Sequence, residues 1–347
     1  MKVYEFIIKD KSGNVLDILD GALDRSFSLY LNKSGDASFS LNPLDPKATG
    51  DSLLLGNKEL YIYRYGVLVW GGELTYRNTT VDDKSGKVTV NAKGFFDLLS
   101  KKIVGSPSSP LTYSATDLSD IAWDVIDTAQ TGTNADLGID QGSLAVSRDA
   151  DRTIDDFKTV KDVIEGLSNL RVADGIDFDI DENKQFSTYY PQKGAILEDV
   201  VFEWGVNIVS FQEVQDSTDM ANQVIVLGEG QGSEMLTATR DSSIADIQST
   251  YKIRQKTISH KDVSIQATLE EHGDKELEKK QTQQQILTFK TKGNLAPEYG
   301  AYKIGDQVRV KIDHGIVQID SYYRIVGIKV KIGDGDTEEI DFTLNSV

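Results

Sequence analysis

The sequence predicts a mainly β fold with an α+β insert, in which two small antiparallel β-barrel-like domains flank a mixed α+β module. Three observations predict it: apolar and polar residues alternate near both ends of the chain, helical periodicity appears between them, and a Gly/Ser/Pro-rich linker occupies residues 105–110. We therefore predict a first barrel domain at 1–104, an α+β module at 105–197, a strand-rich connecting domain at 198–250, and a helix with a second barrel domain at 251–347.

The first 104 residues read as short antiparallel strands joined by tight turns. Tyr4, Phe6 and Ile8 alternate with polar or exposed positions, which is typical of a half-buried strand. Residues 61–99 follow as strand, turn, long strand, polar turn, strand and short helix, with almost no linker. The pair Gly71-Gly72 within the long strand predicts a bend, because glycine pairs often mark the corners of small closed sheets.

Helices are predicted in the middle of the chain. Thr116 is suited to cap a helix that runs through Gln130 and carries an apolar face. A second helix is predicted at about 159–169. A β-hairpin follows at 176–190, with alternating apolar and aspartate positions and a turn at 181–184.

The C-terminal part is predicted to hold one helix and a final antiparallel sheet. The helix spans about 262–281, with Leu269, Gly273 and Leu277 on one face; the glycine there predicts close packing, since it costs about 1 kcal/mol against alanine. Four strands are predicted after it, at 284–290, 307–312, 322–330 and 339–344. Both ends of the chain therefore resemble small barrels in pattern, without a repeat at residue level.

Composition excludes several functional classes. The chain has 347 residues, 55 acidic and 37 basic side chains, a net charge of −18 and no cysteine. Such a charge opposes sequence-independent binding to nucleic acid. We also expect no specific nucleic-acid binding. Without cysteine there is no disulfide and no thiolate metal site. No apolar run approaches the length of a membrane span, and the first residues read as a strand, so we expect no membrane insertion.

The aspartates of the predicted hairpin resemble half of a calcium loop. Such a loop needs glycine at its sixth position and glutamate at its twelfth, where this chain has Glu182 and Thr188. We therefore interpret the polar side chains of this hairpin as a solvated strand face. These residues are Asp177, Asp179, Asp181 and Asn183.

The remaining motifs give no catalytic or cofactor site. The glycine-rich segment 228–232 follows a strand, but no Gly-Lys-Ser/Thr accompanies it, so a flexible surface loop is the simpler interpretation. His260, His272 and His314 show no metal-binding spacing and are interpreted as surface residues. No Gly-x-Ser-x-Gly elbow occurs, and no carboxylate pair is favoured over the others. We predict no catalytic residue, no metal and no cofactor, and therefore no enzyme.

Aromatic side chains allow a second interpretation of the N-terminal block. Tyr61, Tyr63 and Tyr65 fall on one face of a predicted strand and are suited to stack against a sugar. Packing inside the barrel is the other use of these rings, and of Trp70 beside them. A carbohydrate- or receptor-binding β module therefore stays open as an alternative function.

The order of the parts resembles the central hub proteins of bacteriophage tails, namely baseplate hubs and tail-tip hubs, including the N-terminal part of tail-associated lysins. The similarity covers essentially the whole chain. It is carried by RYGVLVWGGELTY, GKVTVNAKGFFDLLSKK, TVKDVIEGLSNLRVADGIDFDI, ANQVIVLGEG, YKIGDQVRVKID and YYRIVGIKVKI.

The resemblance implies a structural protein of the virion, made in the bacterial host cytoplasm. Such hubs are homotrimers whose two barrel-like domains per subunit form a ring of six, which joins the six-fold tail tube to a three-fold tip. The ring lets DNA pass, and the acidic composition fits such a passage. The implied partners are the distal tail protein, the tape measure and tip or fibre proteins.

Many tail-tip hubs continue into a peptidoglycan hydrolase or a fibre, whereas this chain ends just after its last predicted strand. We expect cell-wall cleavage or receptor binding to lie in another protein or in a removed part; a cell-wall hydrolase is the third functional alternative. For the interfaces between subunits we predict the loop at 42–47 and the turn at 303–306, with contact residues Asn42, Pro43, Asp45, Lys47, Lys303, Gly305 and Asp306.

Overall fold

A computed structural model describes residues 3–168, 175–261 and 263–346. The α-helices are α1 (Leu118–Gln130), α2 (Val160–Ser168), α3 (Ile247–Tyr251) and α4 (Gln266–Lys280). The strands are β1 (Tyr4–Lys9), β2 (Val15–Ile18), β3 (Leu23–Tyr30), β4 (Asp36–Leu41), β5 (Glu59–Arg64), β6 (Val67–Val81), β7 (Gly86–Gly94), β8 (Ile103–Val104), β9 (Leu111–Asp117), β10 (Asp140–Gln141), β11 (Asp149–Ile154), β12 (Lys158–Thr159), β13 (Asp177–Ile180), β14 (Gln185–Tyr189), β15 (Ile196–Glu203), β16 (Ser210–Asp216), β17 (Gln223–Leu227), β18 (Thr237–Asp241), β19 (Gln255–Ser259), β20 (Gln284–Lys292), β21 (Gln307–His314), β22 (Val317–Ile332) and β23 (Glu338–Ser346).

Strands from both ends of the chain form one hydrogen-bonded sheet. Its order runs β20-β23-β22-β3-β4-β7-β6-β5-β1-β2, and β15 joins through β21. The junction is the antiparallel pair β3–β22, where Phe27 lies opposite Val330. The predicted mainly β fold with an α+β insert is confirmed. The two ends, however, share a sheet, because the pairing of β3 with β22 bridges them.

The buried face of this sheet follows the predicted alternation. Tyr4, Phe6 and Ile8 of β1 are all at most 2% exposed. In β15, Phe202 is also fully buried, and its ring packs against Phe289 and Phe342. The register was not predictable: β15 pairs with β21 in parallel, although its neighbours in the sheet are antiparallel.

The described residues divide into two compact units. Unit 1 comprises residues 3–168, 175–211 and 288–346, and unit 2 comprises 212–261 and 263–287. The division into four domains made from the sequence stays a prediction.

Unit 2 is a three-stranded sheet covered on one face by α4. Val224 and Val226 of the central strand β17 pack against Leu269 and Leu277 of the helix. A Cβ atom on Gly273 would lie 2.5 Å from Cγ of Arg240, so the predicted close packing at this glycine is confirmed. The predicted start of the helix at residue 262 lies outside the described residues.

The two longer helices of unit 1 bury the predicted faces, but the first begins differently. Asp117 caps α1, its Oδ1 accepting from the backbone N–H of Ser119 at 2.8 Å. Thr116 was the wrong cap, because its hydroxyl donates to the carbonyl oxygen of Ser114 and the helix begins one position later. Residues 169–174, which include the predicted end of the second helix and part of one hub-like stretch, lie outside the described residues. In the described part of the chain, no helix is long and apolar enough to cross a membrane.

The glycine pair of β6 serves a close approach of neighbouring segments. A Cβ atom on Gly72 would collide with the carbonyl oxygen of Lys93 in β7, and one on Gly71 would lie 2.9 Å from the carbonyl oxygen of Glu182. The short helix predicted after β7 is a 3₁₀ helix, Phe95–Lys101, and it buries its aromatic and leucine side chains. These approaches bring β6, the 3₁₀ helix and the β13–β14 turn together.

Candidate functional site

Asp177, the first aspartate of the β13–β14 hairpin, is buried. Its carboxylate accepts hydrogen bonds from the side-chain N–H of Asn32 and from the backbone N–H of Lys193, each at 2.7 Å. It also forms an ion pair with the Arg324 guanidinium. Only 8% of the residue is exposed. The interpretation of Asp177 as part of a solvated strand face was therefore wrong, because Asn32 and Arg324 from distant parts of the chain cover it.

The other polar residues of this hairpin organise its turn. Oδ1 of Asp181 accepts from the backbone N–H groups of Asn183 and Gln185, each at 2.8 Å. Lys184 pairs with Glu59 of β5 at 2.8 Å, and the Glu59 side chain is 3% exposed. These bonds fix the turn against β5, and they engage the side chain of Asp181, one of the residues that resembled calcium ligands.

A second buried carboxylate joins strands from both ends of the chain. Oε1 of Glu338 accepts from the Tyr4 hydroxyl at 2.5 Å and from Nε of Arg64 at 2.6 Å. Burial, reinforced by the carboxylate, raises the pKa of the Tyr4 hydroxyl well above its ordinary value. The three residues therefore act as a polar clamp between β1, β5 and β23. The sequence gives no signal for it, since its members are separated by up to 334 positions.

A cavity of about 570 Å³ lies within unit 1, beside the β13–β14 turn. The aromatic residues that line it are Tyr30, Trp70, Phe95, Phe96, Phe178, Tyr189, Tyr299 and Tyr302. Its charged lining residues are Lys33, Asp179, Asp181, Glu182, Lys193 and Lys303. Burial raises the pKa of the Glu182 carboxyl, and the nearby acids Asp181 and Asp179 add to that effect. Sequence reasoning missed this cavity because its walls come from seven separate segments.

The predicted interface loop at 42–47 lies beside β2. Nζ of Lys47 donates to the carbonyl oxygen of Ile18 and to the Asp20 carboxylate at 3.2 Å. A Cβ atom on Gly21 would lie 2.9 Å from Oδ2 of Asp45, which shows how tightly the loop follows this segment.

Together the loop and β2 form an apolar surface, here called the β2 edge surface. It consists of Val15, Leu16 and Ile18 from β2 and Leu44 from the loop, which are 55%, 41%, 43% and 91% exposed. Among the described residues β2 pairs only with β1, so its other edge is open. The sequence predicted short strands in this block, but not that β2 lies at the end of the sheet.

The second predicted interface segment, the turn at 303–306, is partly internal to unit 1. Oδ1 of Asp306 accepts from the backbone N–H of Ala195 at 3.0 Å. Gly305 has a φ of +95°, and a Cβ atom there would lie 2.7 Å from the carbonyl oxygen of Lys193. Lys303 is exposed. A role for this turn in an interface stays a prediction.

The tyrosines suggested as a sugar platform are placed in two environments. Tyr61 and Tyr63 are half-buried in β5, and Nζ of Lys9 lies 4.2 Å and 5.9 Å from their ring centroids. Tyr65 lies in the following turn with a φ of +49°, and its ring stacks against Arg64. The structure therefore brings the first two rings together and separates the third from them.

Two of the histidines interpreted as surface residues are in contact. The rings of His260 and His272 are half-buried and stack with centroids 3.9 Å apart and planes at 10°. The sequence interpretation was wrong for this pair because α4 lies over the end of β19. His314 is exposed at the end of β21, with its ring centroid 5.5 Å from that of Trp204.

Comparison with known proteins relates this architecture to phage tails. No protein-family model and no curated protein matches the chain. Solved structures do match. A tail protein from Neisseria meningitidis has a TM-score of 0.68 and 16% identity, with 99% of this chain and 96% of that chain covered. The 43 kDa tail protein of prophage MuSo2 from Shewanella oneidensis has a TM-score of 0.69 and 15% identity, with 98% and 97% covered.

The chain has the fold of phage tail proteins. A prophage tail protein from Listeria monocytogenes extends the similarity, with a TM-score of 0.58, 14% identity, and coverage of 98% of this chain and 94% of that chain. Coverage of nearly the whole length on both sides means that the order of the parts, and not one domain alone, is shared. The resemblance inferred from the sequence is thereby confirmed at the level of the fold.

We expect Asp177→Asn to destabilise the protein strongly, because it leaves the Arg324 guanidinium largely buried without its counter-charge. Loss of one partner of such a pair costs about 3 kcal/mol in the free energy of unfolding, measured by urea denaturation. The matched control is Asp320→Asn, whose pair with Arg309 is exposed to solvent, so its loss should change the free energy of unfolding far less. Equal losses in both variants would contradict the buried role of Asp177.

We expect Glu182→Gln to stabilise the protein at neutral pH. The raised pKa means that the folded state holds this proton more tightly than the unfolded state does. The carboxylate therefore destabilises the fold increasingly as the pH rises above the ordinary glutamate value, and this effect is absent below it. Urea unfolding at pH 7 and at about pH 4 measures the difference, with Glu198→Gln correcting for net charge. If the stability gained by Glu182→Gln is as large at the acidic pH as at pH 7, the raised pKa of the Glu182 carboxyl is contradicted.

Proposed function

We propose that this protein is a structural hub of a phage tail tip or baseplate. In this role it is a trimer that joins the six-fold tail tube to a three-fold tip and encloses a channel for DNA. The shared fold with tail proteins over nearly their full length supports a tail role. The neighbouring tail proteins named above would be its partners, and the virion its location.

The observation that carries the oligomeric part of the proposal is the β2 edge surface. An unpaired strand edge with exposed apolar side chains is a template for association, and soluble proteins usually blunt or cover such edges. Here the sheet ends at β2, and Leu44 extends the apolar surface beyond the strand. A closed ring of identical subunits covers such an edge in every copy without leaving an open end.

The charge of the chain fits the proposed channel. A net charge of −18 opposes adhesion of DNA, whose phosphates attract basic proteins. A hub that releases a genome gains from a surface along which the duplex does not bind. This argument concerns composition, and it supports passage of DNA rather than recognition of it.

We expect the wild-type protein to have a mass of three times 38.3 kDa by light scattering. Ile18→Asp places a charge in the β2 edge surface and is expected to shift the mass toward that of a monomer. The fold should be retained, since Ile18 is 43% exposed. Circular dichroism checks the fold of each variant.

The matched control is Ile316→Asp, a change of the same chemistry at a side chain that is 98% exposed in the β21–β22 turn. It should leave the trimer intact. If light scattering over a series of protein concentrations gives the wild-type protein a mass of only one or two copies throughout, the trimer is contradicted. Equal dissociation by both variants would contradict the assignment of the interface to the β2 edge surface.

A further inference from the structure

The cavity of unit 1 has the size and lining of a ligand-binding site. Its volume of about 570 Å³ falls within the range of pockets that hold small molecules. Its walls combine eight aromatic rings with a few polar groups, which is the composition of sites that orient a partly apolar ligand. None of these walls belongs to the β2 edge surface, so the cavity is separate from the proposed interface.

The charges around the cavity balance. Three acidic side chains and three lysines line it, and Lys193 pairs with Asp179 at 2.6 Å. An anionic or a cationic ligand would meet groups of its own sign. The balance therefore favours an uncharged ligand.

Polar groups that a ligand can hydrogen-bond are present inside this aromatic lining. The Glu182 side chain is half-buried and forms no ion pair with another described residue. Nζ of Lys193 lies 5.0 Å from the centroid of the Tyr189 ring and forms an ion pair with the neighbouring carboxylate of Asp179. A purely apolar ligand would displace water from Glu182 and Lys193 without replacing the hydrogen bonds that this water makes. Leaving these polar groups unpaired would cost binding free energy.

We propose that this cavity binds an uncharged mono- or disaccharide. The aromatic walls contact the apolar face of a sugar ring, and its hydroxyls donate to the Glu182 carboxyl and accept from Lys193. A sugar meets both requirements, because one molecule carries an apolar face and several hydroxyl groups. The inference does not rest on the hub role: it concerns unit 1 of a single chain and holds for a monomer or a trimer.

Tryptophan gives a local readout of binding. The chain has three tryptophans, and of these only Trp70 lines the cavity. We would record the indole N–H signals of the ¹⁵N-labelled protein during titration with glucose, galactose, N-acetylglucosamine, maltose, lactose and chitobiose. The expected result is a saturable shift of the Trp70 signal with at least one sugar, while Trp123 and Trp204 stay unchanged.

Glu182→Gln tests the assigned hydrogen bonds. It keeps the shape of the side chain and should weaken binding about tenfold, since a hydrogen bond to a charged group is lost. Glu198→Gln removes an exposed carboxylate outside the cavity and should leave the affinity unchanged.

Three outcomes would overturn the proposal. The first is no shift of Trp70 with any of the six sugars. The second is a shift of Trp70 by p-cresol but by no sugar, which would assign an apolar ligand. The third is equal shifts of all three tryptophans, which would show non-specific contact. Because the titration does not depend on the number of copies, its failure and failure of the trimer are distinguished.

Discussion

The antiparallel pairing of β3 with β22 is the constraint on which the rest of unit 1 depends. It runs from the pair Tyr30–Gly327 to the pair Arg25–Ile332 and joins strands about 300 positions apart in the chain. Without it the two ends would form separate sheets. With it, Glu338 comes within reach of Tyr4 and Arg64, and the cavity gains walls from both ends of the chain. A local hydrogen-bond ladder thus determines both the polar clamp and the candidate binding site.

Much of the fold was predictable because its determinants are local. Alternation predicted the buried face of β1, and the helical spacing of Leu269, Gly273 and Leu277 predicted the face of α4. The features that sequence reasoning missed depend on distant partners. Asp177 reads as a solvated aspartate in its own strand, and only Asn32 and Arg324 make it a buried one. The parallel register of β15 and the open edge of β2 likewise depend on which strand arrives next to them.

The candidate functional surfaces follow the same division. The loop beside β2 was predicted from the sequence as an interface segment, but the apolar character of this surface comes from β2 itself, together with Leu44. The cavity could not be selected at all, since its residues share no spacing. Fold similarity to tail proteins supports the assembly role, while the edge surface and the cavity supply specific chemistry that the fold alone does not. The first is suited to other copies of the chain, and the second to a small uncharged ligand.

Electron microscopy of the purified protein tests the central claim most directly. The account predicts closed particles with three-fold symmetry around an open channel, in which the β2 edge surface of each copy is covered by its neighbour. Isolated single copies, two-fold particles, or a three-fold particle with a closed centre would contradict it.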